Sequence, residues 1–245
     1  MPFLIRPHLL QILTLSALRR YFPAVLVAIL VAVAAAPVAS QQIVTAAEFF
    51  DQVSRTYQQI RDYSAEVTMR QDGVVMRGAL SYRAPGMLRI DFTQPSGQVL
   101  VTDGEMLQIY YPQLDVIFEQ QLGNRQPETA NLASQEGLFY LKNSYAVSYA
   151  IGPTPVPLTP EDTERVVKLR LETRDAGENF RSLELAIDAD NFIRRISGLT
   201  TSLRTHVIEF QNVVVNGNIP EARFTYKSAP DANVLRNFLF GTGEE

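Results

Sequence analysis

Few side chains in this chain could do chemistry, and none stands in a pattern that demands it. His206 is the one histidine beyond the first 40 residues. A general base needs a partner placed beside it. His206 instead shares the parity of Ile208 and Phe210 in a strand-like stretch, which reads as structural. Asp188 and Asp190 could pass for paired carboxylates or a calcium loop. The rest of the calcium-loop pattern is absent, and the two aspartates flank the Asp190-Asn191 turn, so a solvated hairpin turn is the simpler reading. There is no Gly-x-Ser-x-Gly elbow, no phosphate-binding glycine loop and no His/carboxylate metal spacing. The chain has no cysteine, which removes disulfides, thiolate metal sites, a cysteine nucleophile and a lipid-modified N-terminal cysteine. No catalytic residue, metal site or cofactor is expected. The net charge of −4 comes with no basic run in the body of the chain, so a nucleic-acid partner is not expected either.

What remains is apolar surface, and the elements that carry it are strands. From Tyr82 to Pro112 the chain reads as short strands cut by Pro85-Gly86, Pro95-Ser96-Gly97 and Asp103-Gly104. Leu88, Ile90 and Phe92 alternate with Arg89, Asp91 and Thr93; Leu107, Ile109 and Tyr111 repeat the period. Such alternation between turn signals predicts an antiparallel meander with one apolar face.

Ahead of it, Thr45 and Glu48 form a capping box for a helix from Thr45 to about Arg61, with Phe49, Phe50, Val53, Tyr57 and Ile60 on one face. Asp62 to Arg83 is a hairpin turned by Asp72-Gly73. Beyond the meander come a strand near Val116–Glu119, a loop over Gly123–Pro127 and a helical segment over about Glu128–Asn143. That helix is weakened by Gly137, by about 1 kcal/mol relative to alanine. It is either a movable cover or a fixed plug; lids and plugs share one pattern. Gly152–Pro160 holds four prolines and is a surface loop. Alternation resumes in Val167–Leu171, Leu183–Ile187, Phe192–Leu199 and Arg204–Asn212, with a last strand at Phe224–Lys227. The apolar tail Val234–Phe240 packs as a short helix or strand. About 11 strands in hairpin connection predict a mainly β (α+β) fold, a large and strongly curved antiparallel sheet with two helices to cover it.

The first 40 residues are separate. Arg6, Arg19 and Arg20 precede the apolar run Ala24–Ala36, and small residues follow up to Ser40. This describes an export signal cleaved near Ser40, the run being short against the roughly 20 apolar residues of a membrane span. An uncleaved anchor is the alternative. Removal of residues 1–40 leaves 19 basic against 26 acidic residues, or −7, and a single domain over 41–245.

If the helices do not fill the concave side of the sheet, an apolar cavity results; if they do, the sheet is simply packed. Both readings stand on the residues alone. A cavity of that kind would hold acyl chains, since burial yields about 0.8 kcal/mol per CH₂.

The sequence resembles the outer-membrane lipoprotein carrier protein (LolA) family. The stretches that carry the likeness are Tyr63-Ser-Ala-Glu-Val-Thr, Asp72-Gly73, Gly78-Ala-Leu-Ser-Tyr-Arg-Ala-Pro, Phe92-Thr-Gln-Pro, Leu100-Val-Thr-Asp-Gly104 and Ile109-Tyr-Tyr-Pro112. A second block runs from Leu183-Glu-Leu-Ala-Ile-Asp through Ile208-Glu-Phe to Ala222-Arg-Phe-Thr-Tyr. The resemblance covers about Thr45 to Asp231. It implies an incomplete antiparallel β-barrel with covering helices and a monomeric, non-enzymatic periplasmic chaperone. That chaperone would receive acylated lipoproteins from an inner-membrane ATP-driven lipoprotein-releasing complex and pass them to an outer-membrane acceptor. The acyl cavity would be lined by Val67, Met69, Leu80, Tyr82, Leu88, Ile90, Phe92, Ile109 and Tyr111, with Leu138, Phe139 and Leu141 as lid contacts.

The family's arginine before the strand proline, which latches the lid, is replaced here by Ala84. Arg83, one residue earlier, is the candidate latch provided an irregularity beside Pro85 turns it, because a one-residue step in a strand reverses the face. Ile90 and Gln108 stand where the family has tryptophans. The rival reading is a lipid- or lipoprotein-binding sensor on the same half-barrel, held to the membrane by its leader. A lipid hydrolase would need a nucleophile–base pair that the sequence does not offer.

Overall fold

Thr45 and Glu48 close the expected capping box: the Glu48 N–H donates to Thr45 Oγ1 at 3.2 Å, and the Thr45 N–H donates to Glu48 Oε2 at 2.8 Å. They start helix α1, Ala46–Gln58, in a computed structural model that describes residues 44–122, 132–175, 177–226 and 233–237. The leader, the Gly123–Pro127 loop and the Phe238–Phe240 part of the tail lie outside the described residues.

Thirteen strands are described. The first six are β1 (Asp62–Gln71), β2 (Val74–Arg83), β3 (Met87–Gln94), β4 (Val99–Thr102), β5 (Met106–Tyr111) and β6 (Val116–Gln121). Helix α2 (Gln135–Ser144) interrupts them. Then come β7 (Tyr145–Tyr149), β8 (Val156–Pro157), β9 (Arg165–Thr173), β10 (Phe180–Ile187), β11 (Ile193–Thr200), β12 (Thr205–Val215) and β13 (Asn233–Arg236). They form one sheet in the order β13-β6-β5-β4-β3-β2-β1-β12-β11-β10-β9-β7, with β8 paired to β9. The sheet does not close on itself, as expected for an incomplete barrel, and every pairing but β13–β6 is antiparallel. The strand count exceeds the expected 11 partly because two-residue β8 forms within the proline loop and β13 forms in the tail.

The halves meet at β1 and β12, which pair from Tyr63↔Val215 to Gln71↔His206. Register then carries apolar residues across the whole width. One row runs Met76, Met69, Ile208, Ile196, Leu185, Leu169 and Tyr149. Another runs Ala65, Leu80, Ile90, Leu100, Ile109 and Phe118. Directly paired residues share a face, so both rows form the inner wall. Irregularities at Arg77/Gly78, Ser64/Glu66, Phe180/Ser182 and Ala186/Ile187 bend the strands, as inserted residues do. Gly78 is required at its bend: a Cβ there would lie 2.7 Å from the Asp91 carbonyl oxygen.

Phe224 does not begin a strand. Pro220 leads into a short 3₁₀ turn, Glu221–Phe224, on the outer face of the sheet. There Arg223 and Arg89 both pair with Asp91, and the Phe224 ring is buried. Side-chain ion pairs and burial of one ring outweigh the local alternation.

Candidate lipid-binding site

Helix α2 spans the concave side because its first turn and its apolar side are both satisfied there. Ser134 caps it by accepting from the Gly137 N–H at 3.0 Å. Leu138 and Leu141 are fully buried against the sheet. Phe139 is 71% exposed on the outer rim, since a helical step of about 100° per residue turns it away from its neighbours.

Side-chain hydrogen bonds to the sheet, to α1 and to the β9–β10 connection hold the segment in place. The Tyr63 hydroxyl on β1 donates to the Ala133 carbonyl at 2.9 Å. The Tyr82 hydroxyl on β2 donates to Glu136 Oε2 at 2.9 Å. The Tyr140 hydroxyl donates to the Glu178 carboxylate, and Lys142 Nζ donates to Asp51 Oδ1 on α1 at 2.6 Å. Burial first, and then the Glu136 charge, push the Tyr82 phenol well up. Burial and the Glu178 charge do the same for Tyr145, whose hydroxyl donates to the Phe180 carbonyl at 3.1 Å. Both phenols therefore stay proton donors.

Two cavities flank α2 and share Leu88 and Tyr140 as walls. The smaller, about 310 Å³, is mostly apolar; Met69, Leu80, Ile90 and Leu100 come from one half of the sheet, and Phe180, Leu183, Ile196, Ile208 and Phe210 from the other. Leu132 and Leu141 roof it. The larger, about 740 Å³, lies between α1, α2 and the β2–β4 end of the sheet, and carries Tyr82, Phe139, Arg55, Glu136 and the Asp51–Lys142 pair.

Of the residues singled out from sequence, Met69, Leu80, Leu88, Ile90 and Leu141 border the smaller cavity, and Tyr82, Leu88 and Phe139 the larger. Val67, Phe92 and Leu138 are packed into the core. Ile109 stands one strand beyond Leu100 on the same face, with Tyr111 two residues on, and neither borders either of these two cavities. Arg83 is not turned toward the lid. The β2–β3 register runs unshifted from Gly78↔Phe92 to Arg83↔Met87, and Arg83 Nη1 donates to the Ile219 carbonyl at 2.7 Å. The one-residue step thus does reverse its face, and the tie to the first turn of α2 comes from Tyr82.

Half of the cavity wall lies in β10 to β12, beyond the expected lining, although Leu183–Ile187 and Ile208–Phe210 show the same alternation as the meander. Tyr140 and Glu178 carried no sequence signal. Asp188 caps its turn by accepting from the backbone N–H groups of Asp190 and Phe192 at 2.9 and 2.8 Å. His206 meets the Phe180 ring edge-on at 5.8 Å.

Residues 52–227 match the family model described as "Outer membrane lipoprotein carrier protein LolA". Over 156 residues the chain is 30% identical to the outer-membrane lipoprotein carrier protein of Chromohalobacter salexigens, covering 62% of this chain and 67% of that one. Over 159 residues it is 25% identical to the protein of the same name from Pseudomonas aeruginosa, covering 65% and 71%. Among solved structures, an uncharacterized conserved protein from Thermus thermophilus superposes with a TM-score of 0.50 at 17% identity, over 77% of this chain and 97% of that one. That likeness concerns the fold.

Proposed function

Because the chain belongs to the outer-membrane lipoprotein carrier protein (LolA) family, we propose that it is a periplasmic, non-catalytic carrier of lipoprotein acyl chains. Residues 1–40 serve as its cleaved export signal, and residues 41–245 form one carrier domain. It accepts acylated lipoproteins from an inner-membrane ATP-driven complex, travels as a monomer and releases them at the outer membrane.

The observation that carries this reading is the apolar cavity beneath α2. Its volume of about 310 Å³ lies at the small end of ligand pockets, about 300–1,000 Å³. A first acyl segment fits under the closed helix; further chain requires α2 to lift. Lifting breaks side-chain bonds from Tyr63, Tyr82, Tyr140 and Lys142 and leaves the strand ladder intact. Each CH₂ taken from water returns about 0.8 kcal/mol, so a few carbons offset one such bond, worth about 0.5–1.5 kcal/mol net between neutral groups and about 1.5–3 kcal/mol to a carboxylate. Met69, Leu80, Leu88, Ile90 and Leu141 then contact the acyl chain.

Native mass spectrometry of the protein from a periplasmic fraction, with N-terminal sequencing, tests this. A start near Gln41 and a co-purifying acylated polypeptide are expected. A retained leader in the membrane fraction would instead make it an anchored sensor.

A further inference from the structure

We propose that the larger cavity seats the polar end of the amphiphile and that Arg55 grips it. This rests on the carrier reading and goes beyond it, since that reading assigns a role only to the smaller, apolar chamber. The two cavities share Leu88 and Tyr140 as a common wall, so one molecule reaches both once those two side chains part. Their linings differ: Glu178 is the charged residue of the mostly apolar smaller one, whereas the larger is bordered by Asp51, Arg55, Gln58, Gln135, Glu136 and Lys142 as well as by apolar residues. Within that set most charges are already engaged. Asp51 and Lys142 neutralise one another at 2.6 Å, and Glu136 receives the Tyr82 hydroxyl. The exposed Arg55 side chain alone of these four makes no hydrogen bond or ion pair among the described residues.

A guanidinium offers five donors and no acceptor, and stays charged at any working pH. Its complement is a head rich in acceptor oxygens. The ester and peptide carbonyls at the lipid-modified end of a polypeptide supply these close to the acyl chains. In such a pocket a few polar groups set orientation while apolar area supplies affinity. Arg55 would therefore fix which end of the cargo lies under α2.

The test uses full-length processed protein and three probes. These are a synthetic diacylated lipopeptide with an uncharged peptide, lysophosphatidylglycerol, and diphenylhexatriene, which is apolar and has no acceptor. Arg55→Ala should lose about tenfold in lipopeptide affinity and keep its affinity for diphenylhexatriene; Arg55→Lys should recover part of the loss. An unchanged lipopeptide affinity overturns the proposal, as does an equal loss on the lipopeptide and diphenylhexatriene. A larger loss on lysophosphatidylglycerol than on the lipopeptide gives the seat to a phospholipid head and overturns the peptide assignment. Wild-type protein that binds diphenylhexatriene but not lipopeptide removes the polar seat while leaving the apolar chamber; wild-type protein that binds none of the probes removes the carrier reading itself.

Discussion

The Tyr82 hydroxyl donates to Glu136 at 2.9 Å, joining the floor of the larger cavity to the first turn of the helix above it. These residues are 54 positions apart in the chain, and the bond spans the gap between sheet and helix. A phenol–carboxylate bond of this kind is worth about 1.5–3 kcal/mol at the upper end of side-chain hydrogen bonds. Tyr82→Phe keeps the ring packed on Tyr63, at a centroid distance of 5.1 Å, and removes the bond alone. Amide exchange within Gln135–Ser144 should accelerate by about tenfold or more while β1 and β2 stay protected. Unaltered exchange in α2 would mean that the tyrosine does not hold it.

Lys142 makes the contrasting case. It reaches Asp51 at 2.6 Å, but the side chains are 55% and 38% exposed. Exposed pairs contribute about 0–1 kcal/mol. Lys142→Ala should shift the urea midpoint only slightly and leave exchange in α2 near its wild-type rate. A loss as large as that of Tyr82→Phe would show that α1, rather than the sheet, anchors the helix.

Leu88 stands between the cavities and is only half-buried. Leu88→Trp should block the passage from the polar chamber to the apolar one, with little loss of stability because the site is not fully enclosed. Diphenylhexatriene binding is expected to weaken at least about tenfold with circular dichroism unchanged. Full binding by the folded variant would place the entry route elsewhere.

Gly198 lies under the Phe180 ring, and a Cβ there would approach two ring carbons at 2.6 Å. Phe180 also lines the smaller cavity. Gly198→Ala should either destabilise the fold by about 1–3 kcal/mol through overpacking or drive the ring into the chamber and reduce its capacity. Paired measurements of the unfolding midpoint and of acyl-probe stoichiometry read both; a variant normal in each would refute the contact.

Acid should weaken the fold through two carboxylates. Burial raises Asp91, but hydrogen bonds and charge from Arg89 and then Arg223 outweigh it and hold the group below the usual aspartate range. Burial likewise raises Glu209, and Arg70 and Arg195 override it. A depressed folded-state pKa contributes stability that is present above the unfolded value, about 3.9 for Asp and 4.3 for Glu. That stability is lost as pH falls through the folded value. Urea midpoints recorded from pH 7 down to pH 3 should fall at the acid end, and less steeply in Asp91→Asn with Glu209→Gln. Parallel curves for wild type and variant would exclude the linkage.

The sequence made the local devices legible and left the distant ones hidden. Thr45 and Glu48 form a cap wherever the rest of the chain lies, so that helix start could be read directly. Leu80 and Ile90 alternate with polar neighbours, and the face they share follows from hairpin register. Tyr82 could be placed on the inner face as a ring, but nothing near it in the chain announces Glu136 as the partner of its hydroxyl. Strand β12 runs past Asn212 to Val215 because β1 pairs with it across an irregularity at Ser64/Glu66, which no local period encodes. Phe224 left the strand pattern for an outer-face turn secured by Arg223 and Asp91, residues far apart until the sheet has formed.

Both margins of the open sheet are short or interrupted. At one, β13 lies parallel to β6 over four paired residues; at the other, β9 is edged by five-residue β7 and, further along, by two-residue β8, which ends in Pro157 within a proline-rich loop. Long, flat margins invite other chains to add as further strands, and proline withholds the donor that such addition needs. An open sheet with an apolar inner wall is thereby guarded against polymerising through its rim.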